Sequence, residues 1–442
     1  EFAFALPTYT GAGNAWWIEP ATSPSGALNG VFVRPKLATA NVSYSLQYAA
    51  TPGNPTVWTT LALSEMTGEV VTITDNGDCT ETVTLHNLES ITSLSSGGTG
   101  IVRIKADLVD GATTATSYTE VEGWKETTLA SCGTFNNPYL RETAFTGTVT
   151  SVTGQVLAFA NLVELTFAPS GSCYLEVTSG NYAGQRFDVD SASGYNITLA
   201  TDIDLNAATA PFNTRLTMPD LTGELVVIRQ HWTLGQMFPV ANFTAGTTHT
   251  TADQVQTYAA GAWSTYWLYT NSGSPKWVKV GDGTMADQAA TIIPPGQGMF
   301  VNRRTTPLPY LAYGEVRSNT FVRPLSQGTN LVGGGYPIAQ SPNGSGGRSM
   351  NLAASFFGSR DFKTADSIFV WKGDATPGVT TYDTYYLLSN SPTNPTTVKW
   401  VKVGDVSLSS YDAASILLGD RSVFIRANAA LPSYSTPSPW SP

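Results

Sequence analysis

The sequence predicts an all-β protein composed of several small β-sandwich or barrel domains, of which the C-terminal one is internally duplicated. Residues 42–48 alternate apolar and polar side chains with a period of two, which is typical of a half-buried strand, and similar stretches recur along the chain. They are separated by turn sequences such as Asp75-Asn76-Gly77-Asp78, and 41 glycines and 26 prolines are dispersed through the 442 residues. Helical signals are confined to short segments.

Five regions follow one another along the chain. A single core rarely serves more than about 250 to 300 residues, so a chain of this length is expected to hold several domains. The regions are an N-terminal arm (1–13), a β-sandwich domain (14–137), a small β domain (138–230), a duplicated β domain (231–428) and a proline-rich tail (429–442).

The two ends of the chain suggest contacts with neighbours. Phe2, Phe4 and Leu6 lie on one face of a short predicted strand, and a glycine-containing linker follows. Such a strand either completes a sheet edge in a neighbouring subunit or is the first strand of its own sandwich, and the sequence leaves both pairings open. In the tail, four prolines predict an extended, polyproline-like segment.

The region 231–428 contains an internal repeat. The hexapeptide WVKVGD occurs at residues 277–282 and again at 400–405, and its surroundings match in the same order. The two copies extend over about 251–304 and 364–428. This arrangement predicts two similar sheets packed together with pseudo-two-fold symmetry.

Motifs in the same region are similar to those of a known family. They are WTLGQMFP at residues 232–239, the aromatic residues Tyr266, Trp267 and Trp277, and PPGQGMF at residues 294–300. In this order, residues 145–428 resemble a paralogous family of exported proteins from Verrucomicrobium and related bacteria. The resemblance implies export and a β-rich fold, and it brings no catalytic residues.

Charge excludes nucleic acid as a partner, and hydropathy excludes a transmembrane helix. Only 13% of residues are charged, about half of the usual ~25%, and the net charge is −10 without a lysine or arginine cluster. This balance excludes nucleic acid as a partner. No apolar run reaches the roughly 18 residues of a transmembrane helix.

Because the chain starts at Glu1 without a methionine, we expect a mature form after signal-peptide removal, located outside the cell or at its surface.

Signals for catalysis and cofactors are weak, so a non-enzymatic protein is predicted. Nucleophile elbows, phosphate loops and zinc-ligand spacings are missing from the sequence. Three carboxylate pairs have the spacing of one strand face, which suits either a solvated surface or glycoside hydrolysis. No cofactor is predicted, with a structural calcium ion at residues 75–78 as a minor alternative. The three pairs are Glu120 and Glu122, Asp188 and Asp190, and Asp202 and Asp204.

Three cysteines allow at most one intramolecular disulfide. The candidate pair is Cys79 and Cys132, which leaves Cys173 free, and pairing with another subunit is a lesser alternative.

Aromatic residues in polar surroundings are the strongest candidates for a binding surface. They suit a protein interface, stacking on sugar rings, or packing inside a tryptophan-rich core. The candidates are Trp16, Trp17, Tyr266, Trp267, Trp277, Tyr385, Tyr386 and Trp400.

The leading functional prediction is a structural subunit of a secreted filament, sheath or surface layer. Copies of the chain are expected to assemble through β-strand addition and aromatic interfaces, and low charge reduces their mutual repulsion. The alternative prediction is a cell-surface adhesin or carbohydrate-binding protein, with a surface polysaccharide as partner.

Overall fold

The computed structural model describes most of the chain, and its regular structure is nearly all β, which confirms the predicted fold class. The described residues are 16–21, 27–36, 42–50, 56–66, 70–77, 80–92, 99–110, 113–160, 171–200, 219–259, 261–271, 273–305, 307–343, 349–350, 352, 355–374, 376, 378–389, 398–417 and 419–439. The predicted arm lies outside these residues.

Within this part of the chain, strands alternate with short connections and with two short α-helices. In chain order they are β1 (Trp16–Pro20), β2 (Leu28–Pro35), β3 (Val42–Ala49), β4 (Thr59–Ala62), β5 (Val71–Asp75), β6 (Thr80–Leu85), α1 (Leu88–Thr92), β7 (Thr99–Asp110), β8 (Thr113–Tyr118), β9 (Glu122–Leu129), β10 (Cys132–Phe135), β11 (Thr143–Thr153), β12 (Val156–Phe159), β13 (Cys173–Val177), β14 (Arg186–Ser193), β15 (Asn196–Leu199), β16 (Leu225–Gln230), β17 (Trp232–Thr233), α2 (Leu234–Met237), β18 (Gln254–Ala259), β19 (Ala262–Tyr269), β20 (Lys276–Lys279), β21 (Ile292–Ile293), β22 (Met299–Asn302), β23 (Leu308–Glu315), β24 (Phe321–Leu325), β25 (Gly328–Gly333), β26 (Ser367–Trp371), β27 (Tyr382–Ser389), β28 (Val398–Lys402), β29 (Ser422–Ala427) and β30 (Leu431–Thr436).

The N-terminal unit is a sandwich of two sheets. One sheet has the order β1-β2-β6-β5, and the other has the order β23-β9-β7-β3-β4, with β8 also paired to β7. Phe32 of the first sheet and Leu46 and Trp124 of the second belong to one buried cluster between them. Since β23 belongs to the duplicated region of the sequence, a distant segment completes this sandwich.

The second unit is a closed antiparallel barrel with the order β11-β12-β15-β14-β13-β16. Leu157, Leu175, Ile197 and Ile228 are fully buried in its apolar cluster. Because a closed barrel has no free sheet edge, this unit offers no strand edge for addition.

The duplicated unit consists of two five-stranded sheets, with the orders β10-β22-β18-β19-β20 and β25-β29-β26-β27-β28. The orders match strand for strand, so β10 is the counterpart of β25. In the chain, the barrel separates β10 from the other four strands of its sheet. The barrel is therefore an insertion into the first copy, and that copy begins before the boundary at residue 231 that the sequence suggests.

A pseudo-two-fold arrangement joins the two sheets. The Asn136 N–H donates to the Asp420 carbonyl at 2.9 Å, and the equivalent Gly333 N–H donates to the Gly296 carbonyl at 2.9 Å. At Gly333 a Cβ would lie 2.0 Å from Asn136 Cγ, so the close approach of the copies requires glycine there. Each copy thus binds the loop of the other in the same way.

The proline-rich tail differs from its prediction. Residues 431–436 form β30, which pairs with β24. Tyr434 is buried in the core of the second copy, and its hydroxyl donates to the Met350 carbonyl. Burial of this side chain, together with strand pairing, favours a paired β-strand over an unpaired polyproline helix, and both conformations are extended.

Buried arginines hold the barrel against the duplicated unit. The guanidinium groups of Arg186, Arg317 and Arg323 lie 4.9, 4.8 and 4.5 Å from the centre of the Phe321 ring. Arg186 Nη2 donates to the Val322 carbonyl at 2.7 Å. Burial lowers the pKa of Arg186 to about 10 and that of Arg323 to about 9.

Candidate functional site

A cleft of about 310 Å³ lies where the three units meet. The sandwich contributes β1, β9 and β23, the duplicated region contributes β17 and α2, and residues 140–142 lead into the barrel. Clefts at such junctions are common ligand sites, because several elements converge there. The lining residues are Trp17, Ile18, Glu19, Pro20, Glu122, Leu140, Arg141, Glu142, Trp232, Gln236, Tyr313 and Gly314.

Three partly exposed aromatic side chains line this cleft. Trp17 Nε1 donates to Glu19 Oε2 at 3.2 Å, and Trp232 Nε1 donates to the Tyr139 carbonyl at 3.0 Å. The rings of Trp232 and Tyr313 meet edge to face with their centres 6.1 Å apart. These contacts fix the ring positions before any ligand arrives.

Polar groups surround the aromatic rings. The Arg141 guanidinium lies 5.2 Å from the Trp232 ring centre, and its Nε lies 3.4 Å from Glu142 Oε2. Gln236 is held by the capping box of α2, in which its side-chain carbonyl accepts from the Thr233 N–H at 3.1 Å. The cleft therefore combines ring faces with hydrogen-bonding side chains.

The most buried acid of the cleft is Glu122, which is 2% exposed. It is the first residue of β9 and lies directly opposite Glu315 of β23. Burial, followed by the charges of Glu315, Glu142 and Glu120, raises the pKa of Glu122 well above its usual range, against the opposing charge of Arg229. Among the described residues, no hydrogen-bond partner meets Glu122 Oε1.

Strand geometry explains why these side chains gather. Glu122 and Trp124 are two residues apart and therefore point to the same face of β9. Their cross-strand partners on β23 are Glu315 and Tyr313. Trp124 and Tyr313 belong to the sandwich core. Glu122, two residues before Trp124 on the same face, therefore lies at the end of this core, next to β1. The floor of the cleft is thus a continuation of the sandwich interior.

Most of the predicted interface aromatics are buried, and the interface prediction is corrected for them. Each sheet of the duplicated unit buries both faces: Tyr266 and Trp277 lie in one cluster, and Trp267 lies in another on the opposite face. Trp17 alone of the predicted set is partly exposed and lines the cleft. The buried members are Trp16, Tyr266, Trp267, Trp277, Tyr385, Tyr386 and Trp400.

A different aromatic surface is exposed on the duplicated unit. Trp263 is 47% exposed and Tyr382 is 39% exposed, and these two residues occupy equivalent positions in the two copies. Both rings contact Phe424, at centre distances of 6.0 and 5.9 Å. We call Trp263 and Tyr382 the paired aromatic patch.

The carboxylate pairs have separate environments. Glu122 lines the cleft, whereas Glu120 is exposed just before β9. Asp188 is buried, with Oδ1 3.0 Å from Nε2 of His231, while Asp190 is exposed. Asp202 and Asp204 lie outside the described residues.

The remaining predicted sites have these outcomes. Among the described residues, Cys132 and Cys173 carry free thiols, and Cys79 lies outside these residues. Asp75 is ion-paired with Lys36. Within the described part of the chain, no three His, Cys, Asp or Glu side chains group in a way that suits a metal ion. The described helices are all too short to cross a membrane.

Sequence reasoning found only part of the cleft. It singled out Trp17 as an aromatic candidate and Glu122 as one of an acid pair, and Trp232 begins the family-like motif WTLGQMFP. Gln236 belongs to the same motif, whereas Glu19, Arg141, Glu142 and Tyr313 were missed, since no local pattern connects them. Comparisons with protein-family models and with curated proteins find no match for this chain.

Proposed function

We propose that this protein is a non-enzymatic, exported or cell-surface protein that binds a saccharide in the cleft lined by Trp17, Trp232 and Tyr313. The combination of three pre-positioned aromatic rings with side-chain donors and acceptors carries this proposal. Sugar rings present apolar faces that stack on aromatic rings, and their hydroxyls bind carboxylates, amides and guanidinium groups.

The charges of the cleft favour neutral sugars. Three carboxyl groups, those of Glu19, Glu122 and Glu142, line the cleft together with one arginine, Arg141. Uronic or sulfated sugars would meet the like charges of Glu19 and Glu142 there, and the net charge of the whole chain is −10. We therefore expect neutral oligosaccharides to bind more tightly than anionic ones.

Substitution of the cleft aromatics tests the proposal. We expect Trp17→Ala or Trp232→Ala to weaken binding of a neutral hexasaccharide about five- to tenfold, because one stacking contact contributes on the order of 1 kcal/mol. Isothermal titration with β-1,4-linked glucose and N-acetylglucosamine hexamers measures the effect.

The matched control is Trp263→Ala, which removes a partly exposed tryptophan outside the cleft. Equal weakening by this control, or no binding by the native protein, would contradict the proposal. Reducing ends measured after long incubation should not increase, and their release would identify the cleft as catalytic instead.

A second function, the self-assembling structural subunit, is favoured by the paired aromatic patch. Tryptophan and tyrosine anchor protein interfaces because they bury a large area with few rotatable bonds. The low charge content, 13% of residues, reduces repulsion between copies. The proposed occupant of the patch is a second copy of this chain.

Self-association is measured by sedimentation over a range of concentrations and by negative-stain microscopy. We expect Trp263→Ser combined with Tyr382→Ser to lower the assembled fraction, because the exposed ring area is lost. Deletion of residues 1–10 tests the predicted strand-adding arm separately. Native protein that stays monomeric at every concentration would exclude this second function.

A further inference from the structure

Two acidic side chains face each other at the floor of the cleft. Glu122 and Glu315 are a directly opposed cross-strand pair, and each is 2% exposed. Like charges in this position repel strongly when water is excluded. Ionisation of both carboxyl groups at once is therefore unfavourable, and we expect at most one of them to carry a charge.

The surrounding groups decide which carboxyl keeps the charge. Arg229 Nη2 and Nε both bind Glu315, and the Thr143 hydroxyl donates to Glu315 Oε2 at 2.9 Å. These three donors stabilise Glu315 as a carboxylate. Arg229 also lies 3.7 Å from Glu176, so its charge is shared between two acids.

Glu122 has a different set of charged neighbours. Glu315 lies across the strand, Glu142 stands on the cleft rim, Glu120 lies two residues earlier in the chain, and Arg229 alone opposes them. The other charged groups of the cleft are Glu19, which accepts from Trp17, and Arg141, which binds Glu142. The surroundings of Glu122 are thus mostly acidic, and they favour its protonated form.

We infer that Glu122 lines the cleft as a neutral carboxylic acid and donates a hydrogen bond to a saccharide hydroxyl. Saccharide binding is then linked to proton binding at this residue. The inference rests on the proposed saccharide function. Its observations are the buried position of Glu122 in the cleft lining, the ionised Glu315 opposite it and the lack of a partner for Oε1 among the described residues.

The sign of the pH dependence follows from this chemistry. Below the pKa of Glu122 the acid keeps its proton, and the hydrogen bond to the sugar is available. As the pH rises through that raised pKa, the donor is lost and a second buried charge appears beside Glu315. Because one proton is linked to binding, affinity should fall with a limiting slope of about tenfold per pH unit.

The experiment compares native protein, Glu122→Gln and Glu122→Leu from about pH 5 to about pH 9, a range that covers a raised glutamate pKa. The probes are the neutral hexamers of glucose and N-acetylglucosamine, measured by isothermal titration. Native affinity should fall with rising pH, Glu122→Gln should bind without that pH dependence because an amide N–H also donates, and Glu122→Leu should bind at least about tenfold more weakly at low pH.

Circular dichroism establishes that each variant is folded, and Asp383→Asn, a change at an ion pair outside the cleft, should keep the native pH profile. The Gln variant preserves side-chain volume, so its comparison with native protein remains decisive even when Glu122→Leu does not fold. Binding that is independent of pH in the native protein overturns this inference alone. Absence of binding to either probe at every pH overturns the proposed function as well.

Discussion

Replacing Trp277 or Trp400 by alanine is expected to lower the free energy of unfolding by about 3 to 5 kcal/mol in each case. Both side chains are fully buried and occupy equivalent positions in the two copies. Trp277 packs against Phe238 and Phe243, and Trp400 packs against Phe356. Loss of the indole removes apolar contact and leaves a cavity, which the surrounding β-sheet cannot close.

Phenylalanine variants separate packing from hydrogen bonding. Trp277 Nε1 donates to the Phe238 carbonyl at 2.9 Å, whereas Trp400 Nε1 has no hydrogen-bond partner among the described residues. Trp277→Phe should therefore cost more than Trp400→Phe by about 0.5 to 1.5 kcal/mol. Guanidinium denaturation measures these differences, with the partly exposed Trp263→Ala as control. Alanine variants as stable as the control would show that these indoles are not core residues.

Replacing Glu176 by glutamine is expected to destabilise the protein by about 3 to 5 kcal/mol, since a buried charge then loses its partner. Glu176 lies on β13 of the barrel, and its carboxylate binds Arg317 Nη1, which comes from the segment after β23. Both side chains are at most 1% exposed. The glutamine amide oxygen still accepts a hydrogen bond, but the buried Arg317 guanidinium loses its counter-charge and keeps only neutral side-chain acceptors, among them Asn319 Oδ1 at 3.4 Å.

Two further variants give this prediction its controls. Asp383→Asn breaks the partly exposed pairs with Lys372 and Lys402, and it should cost less than about 1 kcal/mol. Glu176→Leu combined with Arg317→Met replaces the buried pair by apolar side chains and should recover most of the loss. A Glu176→Gln variant with native stability would show that the pair does not hold the barrel in place.

Local sequence predicted the repeat, and the structure shows the same turn in both copies. The Gly-Asp pairs of the two hexapeptides have the same turn, with φ of +87° at Gly281 and +89° at Gly404. The carboxylate of Asp282 accepts from the Thr284 N–H at 2.9 Å, and that of Asp405 accepts from the Ser407 N–H at 2.9 Å. Such turns depend on a few adjacent residues, so identical sequence gives identical structure.

Local sequence did not predict which aromatic residues are exposed. Period-two alternation assigns side chains to two faces of a strand, but it does not say whether one face or both are covered. In the duplicated unit both faces are covered, so Tyr266 and Trp267 are buried together although they are adjacent in the chain. At the paired aromatic patch, Trp263 and Tyr382 stand at the beginnings of their strands and remain partly exposed.

The sequence by itself determined the all-β class, the repeat and the turns, because these depend on contacts between residues close together in the chain. Tertiary structure alone decided the barrel insertion, the completion of the sandwich by β23 and the assembly of the cleft. Trp17, Glu122, Trp232 and Tyr313 come from four separate segments, and they meet because β9 pairs with β23 and because β1 and β17, from two other sheets, pack beside that pair. The raised pKa of Glu122 is likewise set by its burial and by the charge of Glu315, a residue far away in sequence and directly opposite in the sheet.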